Sequence, residues 1–259
     1  MWRPYKEFNM KLLMTCLLAL MVSPVSAADT DVTEEKVKAA IKNERRVEAE
    51  TARDKNRRPE ETLKFFGLKH DMRVLELLPG GGWYTNILGP VLEEEGKLYV
   101  SIGADRAVAA VKDKPGFGSL EMIPFDGSNI IRTEGERRIT VPEFSFGVRE
   151  LDMVLTFRNM HNFTAEGRKY MNEAVFEALK SGGTYGVVDH TRRHMSADYN
   201  ESWRRMDPVE IIKEVQASGF ELVDFSNLHY RADDELLYEV GRKSVSGNTD
   251  RFTLLFKKP

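Results

Sequence analysis

The chain has 259 residues, of which 41% are hydrophobic and 31% are charged, and its formal net charge is −3. These proportions are typical of a globular protein, and the length is within the range of a single α/β domain. Acidic and basic residues are interspersed, so no basic stripe points to a nucleic acid partner.

Residues 1–27 have the pattern of a secretory signal peptide. Basic residues precede an apolar stretch at residues 12–22, which is too short to span a bilayer comfortably. Small residues then lead to a cleavage position after Ala27. We expect cleavage there and export to the periplasm, with no membrane span left; an uncleaved anchor is the alternative. Cleavage removes Cys16, the only cysteine, and with it any disulfide, thiolate metal site or cysteine nucleophile.

The sequence predicts a charged helical segment at residues 28–66, followed by an α/β domain at residues 67–259. Residues 29–52 have little apolar content, which predicts an exposed helix or pair of helices. A basic run at residues 53–59 interrupts it, and a short amphipathic helix follows. Such a run is usually a solvated connector; the alternative is a cap over a ligand site.

Strands and helices then alternate along the chain. The predicted strands cover residues 73–77, 96–102, 121–125, 151–157, 184–188, 219–223 and 251–256. The predicted helices cover residues 84–94, 106–112, 165–179 and 208–218, the last with Asp207 as its N-cap. Residues 129–149 are interpreted as a β-hairpin insertion, with one arm at residues 138–141. The alternation predicts an α/β fold, a doubly wound Rossmann-like sheet with helices on both faces.

Three consecutive glycines, Gly80, Gly81 and Gly82, join the first predicted strand to the helix after it. Without a Cβ they let the backbone turn tightly and lie against a ligand. A strand, a glycine turn and a helix N-terminus form the opening of a nucleotide-binding α/β fold. A plain structural turn is the alternative. Glu76 lies within the apolar strand, where a carboxylate is costly unless it has a partner.

Several further motifs accompany the glycine turn. They are Arg53-Asp54 with Arg57 and Pro59, Pro79 through Thr85, Phe157 through Asn162, the turn at residues 180–183, Asp189-His190, and Asp250 through Phe252. With them the chain resembles the class I S-adenosylmethionine-dependent methyltransferases, and more closely a bacterial group of predicted exported methyltransferases. The resemblance covers about residues 47–259. It implies a sheet of seven strands whose last strand runs antiparallel.

The resemblance also implies S-adenosylmethionine as cofactor, bound beyond the carboxyl ends of the strands. Glu76 would hold the ammonium group of the cofactor. Asp126 would meet the adenine amino group, and a simple turn aspartate is the alternative. The expected cofactor-binding residues are Glu76, Pro79, Gly80, Gly81, Gly82, Trp83, Tyr84, Asp105 and Asp126.

The chain departs from the family pattern at two places. Leu78 stands where the first glycine is usual, and Pro79 after it has no N–H to donate. An acid is expected at the end of the second strand to bind the ribose hydroxyls. Ser101 stands there, and Asp105 is the nearest acid.

His161 and His190 are the candidate catalytic residues, because they follow the fourth and fifth strands and a hydroxyl substrate needs a base. We expect His190 to pair with Asp189, which would raise its pKa. For either histidine, a bond to a backbone carbonyl is the alternative. The candidate substrate-binding residues are Arg158, Asn159, Asn162 and Arg53. No metal site is expected, since no predicted helix contains two histidines; His70, His194 and His229 are expected at the surface.

The main hypothesis is therefore an exported methyltransferase acting on a small molecule. One alternative is a non-catalytic exported protein that uses the same fold to bind a ligand. Another is an envelope-assembly module that makes its contact through the charged N-terminal helix.

Overall fold

A seven-stranded sheet forms the centre of the computed structural model, which describes residues 27–259. The strands are β1 Arg73–Leu77, β2 Lys97–Ser101, β3 Leu120–Ile123, β4 Leu151–Phe157, β5 Leu179–His190, β6 Glu221–Ser226 and β7 Arg251–Lys257. Their order is β3-β2-β1-β4-β5-β7-β6. Strands β1 to β5 pair in parallel, and β7 runs antiparallel to both β5 and β6. The predicted Rossmann-like sheet with an antiparallel last strand is confirmed.

Helices cover both faces of the sheet. They are α1 Ala27–Lys42, α2 Glu48–Thr51, α3 Asp54–Arg57, α4 Pro59–Phe65, α5 Thr85–Leu92, α6 Asp105–Val111, α7 Ala165–Ala178 and α8 Pro208–Ala217. Side chains of α1, α4 and α5 form one apolar core with the sheet, and side chains of α7 and α8 form another. Strand β1 serves both cores because successive side chains point to opposite faces: Val74 lies in the first, and Leu75 lies in the second.

The N-terminal helix α1 is packed against the sheet layer, and the expectation of an exposed helix is wrong. Val37 and Ala40 are 4% and 3% exposed and share a core with Leu63 of α4 and Ile87 of α5. The few apolar residues of α1 thus fall on one face. The predicted signal peptide lies outside the described residues, except for Ala27 at the start of α1.

Two other segments differ from their predictions. The turn expected at residues 180–183 is instead the first part of β5, where Gly182 N–H donates to the carbonyl of Lys258. In residues 129–149 the structure has no regular strand, only an antiparallel bridge between Ile131 and Thr140 and a parallel bridge from Ile139 to Phe163. The remaining helices and strands match within a few residues, and Asp207 caps α8 by accepting from Val209 N–H at 2.9 Å.

Strand order reverses between β1 and β4, whose connections leave the sheet in opposite directions. In open α/β sheets this reversal opens a crevice at the carboxyl ends of the two strands. Of the helices that the structure describes, none combines the length and apolar character needed to cross a membrane.

Candidate functional site

A cavity of about 580 Å³ lies at the carboxyl ends of β1 and β4. We call it the main cavity. Most of the residues singled out in the sequence line it: Arg53, Glu76, Pro79, Gly80, Gly81, Trp83, Tyr84, Arg158, Asn159, His161 and His190. Four others do not line it: Gly82, Asp105, Asp126 and Asn162.

The three glycines of the turn have different surroundings. A Cβ built on Gly80 or on Gly81 meets nothing within 4 Å, so both positions leave open space beside the cavity. A Cβ on Gly82 would lie 3.3 Å from the backbone of Ala107 in α6. Gly80 and Gly81 therefore offer bare backbone to a ligand, whereas Gly82 permits the close packing of α6.

Non-glycine residues adopt a left-handed backbone at three strand ends beside the switch point. Leu78 after β1, Ile102 after β2 and Arg158 after β4 have φ of 48°, 61° and 65°. Such conformations cost about 1–3 kcal/mol each and persist only when neighbouring contacts hold them. Leu78 N–H donates to the carbonyl of Ser101, and Arg158 N–H donates to the carbonyl of Val188. Leu78 thus adopts a backbone conformation that usually favours glycine.

Glu76 is 2% exposed and has the polar partner that its burial requires. Thr85 Oγ1 donates to Glu76 Oε2 at 2.6 Å. Burial raises the pKa of Glu76 to about 7, opposed by the Thr85 hydrogen bond and the charge of Arg57. The carboxyl group lines the main cavity half-ionised near neutral pH, so a cationic group beside it would favour the charged form.

Arg57 is 6% exposed and has no carboxylate partner among residues 27–259. Its guanidinium lies over the ring of Trp83, 4.3 Å from the centroid, and its Nε makes no hydrogen bond. Burial, together with the like charges of Arg158 and Arg53, lowers the pKa of Arg57 to about 8. Arg57 is a residue of the main cavity that the sequence pointed to only as part of a motif.

Aromatic rings form the apolar side of the main cavity. Tyr84 stacks on Phe157 with centroids 3.6 Å apart and ring planes 11° apart. The Tyr84 hydroxyl donates to the Arg57 carbonyl at 3.3 Å, and burial raises the pKa of this tyrosine to about 12. Trp83 Nε1 donates to the carbonyl of Glu50 at 3.0 Å. These contacts hold the N-terminal helices against the glycine turn.

The N-terminal segment covers the main cavity, as the cap alternative for the basic run proposes. Ala49, Glu50, Arg53 and Arg57 all line it. The sequence did not predict Glu50 as a site residue, because it lies in a highly charged stretch without periodicity. Its carboxylate accepts from Asn86 Nδ2 at 2.8 Å, which ties α2 to α5.

His161 is joined to Asp189 by two hydrogen bonds. Its Nδ1 lies 2.7 Å from Asp189 Oδ1, and its backbone N–H donates to Asp189 Oδ2 at 3.1 Å. Asp189 is fully buried, so this pair is shielded from water. The Nε2 atom of His161 makes no hydrogen bond with the described residues and is left for a ligand. A carboxylate on Nδ1 fixes the tautomer in which Nε2 accepts a proton.

His190 does not pair with the side chain of Asp189, and the expectation of a raised pKa is wrong. The contact of His190 with Asp189 Oδ1 is through its backbone N–H, while the ring atom His190 Nδ1 lies 2.8 Å from Thr249 Oγ1. Burial, with the nearby charge of Arg251, lowers the pKa of His190 well below its usual range. His190 is therefore neutral at pH 7, and the two histidine rings lie 5.9 Å apart.

The other predicted site residues have local structural roles. Asp126 is exposed and accepts from Ser128 N–H at 2.9 Å, as a turn aspartate does. Asp105 begins α6 on the surface. Asn162 lies in a short 3₁₀ turn, and its carbonyl accepts from Ile139 N–H. Asn159 lines the main cavity, while its amide nitrogen donates to the carbonyl of Leu77 at 3.2 Å.

Two of the three histidines expected at the surface are buried. His70 is 7% exposed and contacts Thr33, whereas His194 is open to solvent. His229 is 2% exposed, with Nε2 3.0 Å from the carbonyl of Arg57 and Nδ1 2.7 Å from Thr253 Oγ1. Burial lowers its pKa to about 4. His229 thus anchors the cavity-lining segment to β7.

Positive charge dominates the main cavity. Two carboxyl groups line it, Glu50 and Glu76. Five guanidinium groups line it as well: Arg53, Arg57, Arg106, Arg158 and Arg204. Among residues 27–259 no group of three or more acidic, histidine or cysteine side chains is placed to hold a metal ion.

No protein-family model matches the chain, and no curated protein matches it in sequence. The fold is similar to that of several solved structures. One is a SAM-dependent methyltransferase from Aquifex aeolicus, 17% identical with a TM-score of 0.53, covering 86% of this chain and 97% of its own. The [4+2]-cyclase SpnF is 11% identical with a TM-score of 0.55, over 89% and 94% of the two chains. The glycopeptide N-methyltransferase MtfA is 13% identical with a TM-score of 0.50, over 77% and 94%. At these identities the likeness establishes the fold.

Proposed function

We propose that the protein is an S-adenosylmethionine-dependent methyltransferase that acts on a small molecule. The observation that carries the proposal is the position of the main cavity. It lies over Gly80 and Gly81 at the point where strand order reverses, with His161 on its lining. Two of the three similar structures described above are named methyltransferases, while the third is named a cyclase, so the fold by itself does not decide the reaction.

The residues present fit the methionine part of S-adenosylmethionine. Gly81 leaves open space that any side chain would fill. Glu76 offers a carboxyl group for the ammonium of the cofactor. Arg57 offers a guanidinium for the cofactor's carboxylate, since it has no carboxylate partner among residues 27–259. The fit to the ribose is poorer, because Ser101 Oγ donates to the carbonyl of Ile123 and Asp105 does not line the main cavity. We therefore expect the ribose to be held weakly.

The cofactor supplies an electrophilic methyl group on a sulfonium. The residues of this chain position the cofactor and the acceptor, and they supply a base. Asp189 holds His161 at Nδ1, which leaves Nε2 able to accept the proton of a hydroxyl or amine acceptor. The stacked rings of Tyr84 and Phe157 exclude water from one side of the main cavity. His190, being neutral, can only share a hydrogen bond at this pH.

Calorimetric titration of the purified protein with S-adenosylmethionine and S-adenosylhomocysteine tests the proposal. We expect saturable binding to one site, which Gly81→Asp abolishes because its side chain enters the main cavity. Gly127→Asp, on an exposed loop, is the matched control and keeps full affinity. A flat titration with folded protein would contradict the proposal. Binding of both compounds without transfer to any acceptor in a metabolite panel would favour a non-catalytic ligand-binding protein.

We also propose that the protein is exported, on the basis of the signal-peptide pattern of residues 1–27. S-adenosylmethionine is made in the cytosol, so an exported enzyme needs a supply of cofactor across the membrane. N-terminal sequencing of protein purified from the periplasm is expected to begin at Ala28. A sequence that begins at Met1 or Met10 would contradict cleavage.

A further inference from the structure

A second cavity of about 160 Å³ adjoins the main cavity, and it is lined by arginine without any acidic residue. We call it the arginine cavity. Its four guanidinium groups belong to Arg53, Arg158, Arg204 and Arg251. The two cavities share His190 and the first three of these arginines. The arginine cavity is thus a strongly basic extension of the main cavity.

Acidic side chains elsewhere in this part of the fold already have partners. Asp54 pairs with Arg46 at 2.7 Å, and Asp234 pairs with Arg205 at 2.9 Å. Glu239 pairs with Arg204, and Asp189 is bonded to His161. Among residues 27–259, three arginines of the arginine cavity therefore have no carboxylate partner: Arg53, Arg158 and Arg251.

Keeping these like charges together is costly without an anion. Arg251 is 5% exposed, its Nε makes no hydrogen bond, and its Nη1 donates to the carbonyl of Asn56 at 3.2 Å. Burial and the charge of Arg158 lower the pKa of Arg251 to about 10. Burial and the charge of Arg53 lower the pKa of Arg158 as well. A buried cation without a counter-charge destabilises a fold, so a group that binds here would offset that cost.

Resting on the proposed methyl transfer, we propose that the arginine cavity binds the phosphate group of the substrate, which makes the methyl acceptor a phosphorylated small molecule. Guanidinium groups match the oxygens of phosphate and carboxylate in bidentate geometry. A phosphate ester brings a charge of about −1.5 to −2 and three acceptor oxygens. It therefore compensates three unpaired guanidinium groups better than the single charge of a carboxylate does.

The arginine cavity lies close enough to His161, the proposed base, for one small substrate to reach both. His190 lines both cavities, and its ring lies 5.9 Å from the ring of His161. A phosphate held by Arg158 and Arg251 would place the rest of a small substrate across His190, with its acceptor atom beside His161. Neutral His190 can share a hydrogen bond with such a substrate and adds no like charge.

Titration of the full chain with inorganic phosphate, in the absence of any nucleoside, tests the assignment. We expect saturable binding that Arg53→Gln and Arg158→Gln each weaken by about tenfold or more, the loss expected for a charge-assisted hydrogen bond. Arg53 is exposed and its side chain makes no hydrogen bond with the described residues, so its substitution keeps the fold intact. Arg132→Gln is the matched control, because this exposed arginine lines neither cavity and should leave the phosphate affinity unchanged.

The outcomes separate this inference from the proposed function. Phosphate and S-adenosylhomocysteine that bind together, each without displacing the other, support a substrate subsite. Displacement of phosphate by S-adenosylhomocysteine would overturn it, since the arginines would then hold the cofactor. Acetate that binds as tightly as phosphate would overturn the choice of phosphate, and a flat phosphate titration would overturn the site. Phosphate binding without S-adenosylhomocysteine binding would leave the arginine cavity standing and remove the proposed methyl transfer.

Discussion

Asp189 lies directly against His161, with 2.7 Å between Asp189 Oδ1 and His161 Nδ1. The carboxylate comes from the carboxyl end of β5 and the histidine from the 3₁₀ turn after β4, so the parallel pairing of these two strands brings the pair together. The same carboxylate accepts the backbone N–H groups of His161 and His190. Groups at the carboxyl end of the sheet therefore hold the base in place.

Asp189→Ala is expected to free His161 from a single tautomer, because the variant has no carboxylate to accept the proton of Nδ1. Nitrogen NMR of labelled protein should show the proton on Nδ1 in the wild type and a mixture of both tautomers in the variant. Methyl transfer should fall by about 10²–10⁴-fold, the usual contribution of a positioned base. Binding of S-adenosylhomocysteine should persist, since Asp189 does not line the main cavity. Asp224→Ala, at an exposed position, is the control; an unchanged single tautomer in Asp189→Ala would refute the role of the pair.

Substitutions at neighbouring glycines should separate ligand binding from folding. Gly81→Ala places a methyl group in open space, so the free energy of unfolding should stay nearly constant while S-adenosylhomocysteine binds more weakly. Gly82→Ala combines a φ of 83° with a contact 3.3 Å from Ala107, and it should destabilise the fold by about 1–3 kcal/mol. Denaturant unfolding and calorimetry measure the two effects. Equal loss of stability in both variants would show that Gly81 too is a packing residue.

Local pattern was enough to predict most of the fold. The run Leu151–Phe157 is mostly apolar and bounded by charged residues, and it is a strand with the predicted ends. Asp207 followed by proline marks the start of α8 for the same local reason. Burial of α1 could not be predicted in this way, because its apolar face consists of a few residues such as Val37 and Ala40 whose partners lie in distant elements.

Most of the predictable site residues lie at or just after the carboxyl ends of strands. Glu76, Gly81 and His161 have such positions, and all three line the main cavity. Glu50 and Arg204 lie in segments without periodicity, so only the folded chain brings them there. The choice of partner for Asp189 also depended on the fold. Its neighbour in sequence is His190, yet strand pairing places the ring of His161 against its side chain.

Protonation of His229 should release the segment that carries Arg57. The pKa of His229 is about 4 in the folded protein and near 6.5 in the unfolded chain, so the unfolded state binds more protons between these values. The stability that His229 contributes is therefore complete above pH 6.5 and is lost as the pH falls towards 4. The loss is at most about 3 kcal/mol, from 1.36 kcal/mol per pKa unit.

Denaturant unfolding at pH 7 and pH 5 checks this dependence. His229→Gln should be less stable than the wild type at pH 7, and the difference should shrink at pH 5. Asn227→Gln is the control, because Asn227 is exposed and carries no titratable group, so this variant should follow the wild type at both values. A difference between His229→Gln and the wild type that stays constant with pH would contradict the assignment.

Cofactor binding should release a proton from Glu76. Its pKa is about 7 in the free protein because the carboxyl group is buried, so near pH 7 about half of the molecules carry this proton. An ammonium group beside Glu76 stabilises the carboxylate and lowers that pKa. Binding of S-adenosylmethionine at pH 7 should then release roughly half a proton, and the affinity should rise between pH 6 and pH 8.

Calorimetry in buffers that differ in ionisation enthalpy measures the released proton directly. Glu76→Gln keeps the shape of the side chain and its contact with Thr85 but cannot ionise, so its binding should be weaker and release no proton from this site. It should also be more stable than the wild type at pH 8. The folded pKa of Glu76 lies above the unfolded value, so the wild type loses stability as the pH rises from 4.5 to 7, by at most about 3 kcal/mol. Equal proton release in the wild type and in Glu76→Gln would show that the ammonium is bound elsewhere in the main cavity.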